Sequence, residues 1–181
     1  MKNLDLFENG GTLLQLRAGR LRAGSKLLAD LLVIDQASGI HPALTPATLR
    51  SFLRCSNCQA LAVCDPLSER LRGFLLLTRQ SVDLSLQRFA VLPDDRRMGV
   101  GSLLVEEAKL LLTPPQVRIV AHVPERALGA QLFLRARGFR CLRTDPSPGD
   151  QGLYLFCFGP CPGDNAARSR RPLGRHCEEG K

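Results

Sequence analysis

Tryptophan is absent from this 181-residue chain, and tyrosine occurs only once, as Tyr154. Long apolar runs are missing too: stretches such as Phe74–Leu77 and Leu110–Leu112 are far shorter than the roughly 18 residues that a membrane span needs. Residues 1–11 contain acids and glycines where a secretory signal would have an apolar run, so no such signal is expected. These absences favour a cytoplasmic protein without a membrane partner.

Acidic residues are scarce, because 17 Asp and Glu stand against 25 Lys and Arg and leave a net charge of +8. Such a charge can attract phosphates, nucleic acid or an acidic partner. The basic residues are scattered, however, and no arginine-rich helix carries interleaved stacking aromatics, which argues against nucleic acid. If nucleic acid were bound after all, Arg168–Arg171 would make the phosphate contacts.

The seven cysteines are an odd number, and without a signal they indicate reduced thiols in a cytoplasm. Cys55 and Cys58 form a CxxC pair, which can supply half of a zinc site or act as a redox motif. No second pair repeats this spacing, and the motif is predicted to close a helix, whereas a redox motif normally opens one. We therefore expect ordinary thiols and no bound metal.

The length and the hydrophobic fraction of 44% fit one globular domain. Residues 1–11 are expected to be a flexible leader and residues 12–158 the folded domain. Residues 159–181 are rich in Pro, Gly and charge but poor in apolar side chains, so they are expected to be a disordered basic tail. The chain therefore divides into one domain with two unstructured ends.

Apolar periodicity predicts a strand, two helices, three strands, a helix, a strand, a helix and two strands, which is a mixed α/β order. The predicted strands are Leu13–Ala18, Ala60–Cys64, Leu71–Thr78, Asp83–Val91, Val117–Val123, Phe139–Leu142 and Leu153–Phe158. The predicted helices follow Gly24, start at Thr45-Pro46, and span Gly99–Leu112 and Ala127–Arg137. Within Asp83–Val91 the alternation is clean at Leu84 and Leu86 and less clean afterwards.

Residues 89–104 carry most of the chemical information in the sequence. A predicted strand leads through a Pro-Asp turn into an amphipathic helix that starts at Gly99 and Gly101. The free N–H groups and the positive dipole end of a helix start form an anion site. The two glycines let the backbone approach phosphate oxygens, and Arg96 and Arg97 add positive charge.

In this context, Arg96-x-x-Gly99-x-Gly101 resembles the acetyl-CoA motif Arg/Gln-x-x-Gly-x-Gly/Ala of the GNAT superfamily of N-acetyltransferases. Ala130–Phe139 resembles the later helix of that family, which ends in a Gly-Phe pair, and the interval between the motifs accommodates one helix and one strand. The resemblance covers about residues 13–158. Among subfamilies the chain is most similar to the ribosomal-protein alanine N-acetyltransferases, partly through Leu32–Ser38 and His41-Pro42.

This resemblance implies a mixed, mostly antiparallel central sheet of about seven strands flanked by about four helices. It also implies an acetyl-CoA-dependent N-acetyltransferase whose acceptor is a primary amine of a protein N-terminus or a small molecule. The strand backbone would lie beside the acetyl and pantetheine groups, and the amides of the helix start would hold the pyrophosphate. The cofactor-binding residues implied are Phe89, Ala90, Val91, Arg96, Arg97, Met98, Gly99, Val100, Gly101 and Ser102.

Three positions depart from the pattern of the subfamily. His122 occupies the position of its glutamate base, Leu134 that of its tyrosine acid, and Ala127 that of an asparagine that contacts the cofactor. His122 is the candidate catalytic residue, since a histidine with a pKa near about 6.5 is largely neutral at pH 7 and can accept a proton. The alternative is a hydrogen-bonded histidine on a face of the sheet, and Leu134 cannot donate a proton.

Other side chains near these positions also have two interpretations. Glu125 can act as a base or stabilise a helix start; Tyr154 can donate a proton or pack on a late strand; His41 can line the amine pocket or shape a turn. A second function also stays open, because the glycine motif is intact while the acid and base positions are replaced. In that case the protein is a CoA-binding regulatory or interaction module with weakened catalysis.

Overall fold

The computed structural model describes residues 12–16, 26–40, 42–145 and 152–161. The predicted leader, His41 and residues 162–181 lie outside the described residues. Within the described part, no helix is long and apolar enough to cross a membrane.

The described residues form seven strands in one sheet and four α-helices. The strands are β1 (Thr12–Leu16), β2 (Cys58–Cys64), β3 (Leu71–Gln80), β4 (Asp83–Val91), β5 (Arg118–Pro124), β6 (Arg140–Asp145) and β7 (Leu153–Phe158). The helices are α1 (Lys26–Ala37), α2 (Pro46–Arg54), α3 (Val100–Leu110) and α4 (Leu128–Ala136).

The strand order is β1-β2-β3-β4-β5-β7-β6. Every neighbouring pair is antiparallel except β4 and β5, which run parallel because α3 crosses over between them. The mixed, mostly antiparallel sheet with flanking helices confirms the predicted fold class. The element order is also as predicted, and most boundaries shift by only one or two residues.

The helix ends follow local signals in the sequence. Thr45 caps α2, since its hydroxyl accepts the N–H of Thr48 at 3.1 Å, and Pro46 occupies the first turn, where it sacrifices no hydrogen bond. Gly138 follows α4 with a φ of +83°, a conformation that glycine adopts without strain. Pro114-Pro115 stands shortly after α3 and prevents its continuation.

Helices cover both faces of the sheet, and strand alternation divides the apolar side chains between them. On β2, Leu61 and Val63 join the core beneath α3 and α4, while Ala60 and Ala62 join the core beneath α1 and α2. We call these the α3/α4 face and the α1/α2 face. The sheet is therefore the middle of three layers, and each face has its own hydrophobic cluster.

A β-bulge at Gln87 interrupts β4. Leu77 lies opposite Leu86 and Leu76 lies opposite Arg88, so Gln87 has no partner on β3. The extra residue reverses the alternation, and Phe89 therefore joins Leu86 on the α3/α4 face. This bulge causes the uneven apolar pattern in the second half of Asp83–Val91.

Beyond the bulge, β4 and β5 part. Their paired residues are Asp83–Leu86 on β4 and Arg118–Ala121 on β5. The later residues of β4 remain paired with β3, and the later residues of β5 remain paired with β7. A cleft therefore opens in the middle of the sheet, with the edge of one strand on each side.

The packing of α3 can be tested by substitution at Leu104, which is fully buried in the α3/α4 core. Leu110 of the same helix is 73% exposed and provides a comparison. We expect Leu104→Ala to lower the free energy of unfolding by about 2–5 kcal/mol, since it leaves a cavity. Leu110→Ala, the matched control, should change it by less than about 0.5 kcal/mol. Urea denaturation measures both, and equal effects would contradict this description of the core.

Candidate functional site

The open edge of β4 presents backbone groups to the cleft. The N–H of Leu92 donates to the carbonyl oxygen of Arg72 on β3 at 2.9 Å. Because backbone groups alternate in direction along a strand, the N–H and C=O of Phe89 and Val91 face the opposite side, toward the cleft. The carbonyl of Val91 accepts from Arg96 Nε at 3.3 Å, as expected for a group on that side. This edge can pair with an extended, amide-containing ligand.

The turn after β4 forms an anion site at the start of α3. Gly99 has a φ of +83° and directly precedes the first helical residue, Val100. The first intrahelical bond runs from Leu103 N to Gly99 O at 3.0 Å, so the preceding amides of the first turn have no carbonyl partner within the helix. Those amides, the helix dipole and the exposed Arg96 and Arg97 together favour a bound phosphate.

A buried ion pair anchors this turn to the sheet. Arg72 on β3 donates through Nε to Asp95 Oδ1 at 2.8 Å, and its Nη2 lies 3.7 Å from the sulfur of Met98. Arg70 Nη2 lies 3.7 Å from the other oxygen of Asp95. Sequence reasoning missed this pair, although an arginine within the apolar run Leu71–Leu77 was a usable signal, because a buried guanidinium needs an acid.

Glycine is required at positions 99 and 101 of the motif for different structural reasons. Gly99 needs its positive φ. At Gly101, a Cβ atom would lie 3.0 Å from Phe89 Cζ and 3.4 Å from Phe133 Cζ, and these two rings stack at a centroid distance of 5.4 Å. Gly101 therefore lets α3 approach the ring of Phe89, in addition to the expected access of the backbone to phosphate.

The remaining residues of the predicted cofactor site differ in exposure. Ala90 and Val100 are buried in opposite cores, and the backbone N–H and C=O of Ala90 face β3, so Val100 can reach a ligand only through its backbone and Ala90 offers it no free polar group. Met98 is exposed and Ser102 is partly buried. The structure thus places all the predicted cofactor-binding residues along one continuous path, from the edge of β4 to the first turn of α3.

His122 lies on β5, one residue beyond the last one paired with β4, and therefore borders the cleft opposite the edge of β4. It is exposed, whereas its neighbours Ala121 and Val123 are buried in the α3/α4 core. Alternation consequently puts His122 on the α1/α2 face. The structure brings the candidate base and the candidate cofactor edge to the two sides of one cleft.

The other positions of interest lie around the end of β5. Leu134 is 4% exposed and belongs to the α3/α4 core, and Ala127 is the N-cap of α4 without a side-chain bond. The hydroxyl of Tyr154 donates to Glu125 Oε1 at 3.3 Å, and the negative charge of Glu125 raises the pKa of Tyr154. Glu125 is thus engaged with Tyr154, while Gln131 bonds the carbonyl oxygens of the β5–α4 connection.

The cysteines of the described residues show no arrangement that suits a metal. Cys55 is exposed directly after α2, and Cys58 opens β2 with its sulfur 3.8 Å from Thr78 Oγ1. Burial raises the pKa of Cys58, and it raises that of Cys157 to about 12, which disfavours the thiolate that metal binding and exchange require. The described residues contain no group of three or more His, Cys, Asp or Glu arranged to hold a metal ion.

Comparison with known proteins relates the chain to others through structure. No protein-family model matches the sequence, and no curated protein matches it. Among solved structures, the ribosomal-protein-S18-alanine N-acetyltransferase of Escherichia coli is 17% identical with a TM-score of 0.67, over 86% of this chain and 97% of that one.

Two further solved structures contain bound ligands. The PaiA N-acetyltransferase of Thermoplasma acidophilum, in complex with coenzyme A, is 16% identical with a TM-score of 0.67, over 82% of this chain and 98% of that one. NAA60 of Arabidopsis thaliana, in complex with acetyl-CoA, is 15% identical with a TM-score of 0.65, over the same shares. The chain therefore has the fold of these N-acetyltransferases.

Arg97 has a φ of +64°, which is strained for any residue except glycine. We expect the Arg97→Gly protein to be more stable than the Arg97→Ala protein by about 1 kcal/mol, because only glycine adopts this conformation without a steric penalty. Both variants lose the same guanidinium, so their difference isolates the backbone. Chemical denaturation measures it, and an alanine variant at least as stable as the glycine variant would refute the assignment of strain.

Proposed function

We propose that this protein is an acetyl-CoA-dependent N-acetyltransferase that acetylates a primary amine of a protein N-terminus or a small molecule. The observation that carries the proposal is the path from the open edge of β4 to the phosphate-binding turn at the start of α3. One end of this path suits the amides of pantetheine and the other suits a pyrophosphate. The fold shared with N-acetyltransferases, two of them in complex with CoA or acetyl-CoA, supports the same assignment.

The residues present fit this co-substrate. The first-turn amides of α3 and the side chains of Arg96 and Arg97 would hold the pyrophosphate. The Val91 and Phe89 amides on the open edge of β4 would bind the pantetheine and polarise the thioester carbonyl. Bound acetyl-CoA supplies an acetyl group activated as a thioester.

In this proposal, His122 prepares the acceptor. An α-amine titrates near about 8 and a lysine near about 10.4, so the acceptor is mostly protonated at pH 7 and must lose a proton before it attacks. His122 borders the cleft and would take that proton. Leu134 is apolar and buried, so water in the open cleft would protonate the departing thiolate.

The burial of Leu134 also favours a second candidate function. A chain that holds CoA without an acid at this position can serve as a regulatory or interaction module whose catalysis is weak. The path for the cofactor is the same in both cases. The two functions therefore differ in turnover and not in binding.

Two measurements distinguish these candidates. Calorimetry measures the binding of acetyl-CoA, and a continuous assay measures the release of CoA thiol with peptides of varied N-terminal residue and with small amines as acceptors. Acetyl-CoA binding with acceptor-dependent thiol release is the expected result. Binding without release from any acceptor would favour the module. Failure to bind at millimolar acetyl-CoA would reject both candidates.

His122→Ala should lower kcat by about 100-fold and leave the Kd of acetyl-CoA unchanged, because a general base contributes about that much to rate. Glu125→Gln is the matched control, since it removes the charge of a carboxylate near His122 while the amide oxygen can still accept the Tyr154 hydroxyl. We expect its kcat to remain within about threefold of the parent enzyme. A His122→Ala protein with normal turnover would exclude His122 as the base.

A further inference from the structure

A buried ion pair joins α1 to the middle of β4. Asp35 on α1 is fully buried, and Arg88 on β4 follows the bulge directly. Arg88 Nε donates to Asp35 Oδ1 at 2.5 Å, and Arg88 Nη2 donates to Asp35 Oδ2 at 2.7 Å. This two-pronged geometry fixes the guanidinium and the carboxylate in one plane.

The same pair holds the described residues between α1 and α2, residues 38–40 and 42–45, which we call the α1–α2 connection. Arg88 Nη2 donates to the carbonyl oxygen of Ile40 at 3.1 Å and to that of Pro42 at 2.9 Å. Asp35 Oδ2 accepts the N–H of Leu44 at 2.7 Å. Three points of the connection are therefore bonded to one ion pair.

A close polar contact brings the α1–α2 connection to the candidate cofactor edge. The hydroxyl of Ser38 donates to the carbonyl oxygen of Ile34 at 2.7 Å and lies 3.3 Å from the carbonyl oxygen of Val91. Val91 is the residue whose backbone faces the cleft. The connection thus borders the open edge of β4, along which the thioester and the pantetheine would lie.

The face of the sheet on which each element lies indicates which of the two substrates would contact the α1–α2 connection. The phosphate-binding turn leads into α3, so the co-substrate enters from the α3/α4 face. Arg88, Ala90 and the α1–α2 connection are on the α1/α2 face, and so is His122. An acceptor must reach the thioester from the face that the co-substrate leaves free. That is the face of the candidate base and of this connection.

The Asp35–Arg88 ion pair is better suited to fixing the position of the α1–α2 connection than to stabilising the fold. Apolar side chains of similar volume would stabilise a buried site as well as an ion pair does. An arginine fork with acceptors on three residues instead fixes the geometry of the backbone around it, which a lysine with a single ammonium group cannot reproduce.

We propose that Asp35 and Arg88 are positioning residues that hold the α1–α2 connection at the cleft and thereby determine how the acceptor amine binds. This inference rests on the proposed acetyltransferase function. It assigns the pair to acceptor recognition and leaves acetyl-CoA binding to the β4 edge and the start of α3.

Two variants test the positioning role of Asp35 and Arg88. Arg88→Lys keeps the charge opposite Asp35 but removes the fork. The double variant Asp35→Leu with Arg88→Met replaces the pair with apolar side chains, so it leaves no buried charge without a partner. Asp83→Asn is the control, because Asp83 is also on β4 and forms an ion pair with Arg118 of β5, but at the end where β4 and β5 remain paired.

We expect both variants to raise the KM for the acceptor by about tenfold or more. The calorimetric Kd of acetyl-CoA should stay within about twofold of the parent value. The amide of Leu44 should also exchange its hydrogen faster, because Asp35 no longer accepts it. The Asp83→Asn control should alter neither the acceptor KM nor the exchange of the Leu44 amide.

An unchanged acceptor KM in a parent protein that does transfer acetyl groups would overturn this inference alone. A parallel loss of acetyl-CoA affinity, or the same change in acceptor KM in the Asp83→Asn control, would overturn it as well. If the parent protein transfers no acetyl group to any acceptor, the proposed function fails, and the acceptor role of the pair fails with it.

Discussion

The parting of β4 and β5 at the bulge is the constraint on which the rest of the structure depends. Gln87 adds one residue to β4, the alternation reverses, and pairing with β5 stops at Leu86. Without the reversal, Arg88 would face α3 and Phe89 would face α1. The bulge thus opens the cleft, places the aromatic ring of Phe89 under Gly101, and directs the guanidinium toward Asp35.

Local signals made most of the fold predictable from the sequence. The Thr45-Pro46 helix start and the strand Asp83–Val91 lie where periodicity and capping rules put them. The buried ion pairs were not predictable in this way, because Arg72 and Asp95 are 23 residues apart and Asp35 and Arg88 are 53 apart. Such pairs follow from strand register and helix packing, which a single sequence does not specify.

The candidate site would bind its co-substrate mostly through backbone groups, whereas acid–base catalysis would depend on side chains, and these two requirements respond differently to sequence change. Amides at the edge of β4 and at the start of α3 keep their directions as long as the strand, the turn and the positive φ of Gly99 are kept. Acid–base chemistry needs particular side chains at His122 and Leu134. This chain accordingly has the fold of N-acetyltransferases to which it is only 15–17% identical.

Arg72, which is buried, and Arg88, which is partly buried, connect these two requirements through the sheet. Arg72 on β3 fixes the turn that would hold the phosphates, and Arg88 on β4 fixes the connection that would border the acceptor. Both lie on strands paired along most of their length, with Gly73 opposite Val91 and Leu76 opposite Arg88. Under the proposed function, the β3–β4 ladder would then set the separation between the two substrates. A change at either arginine should disturb one substrate and spare the other, because each acts on its own loop through the same ladder.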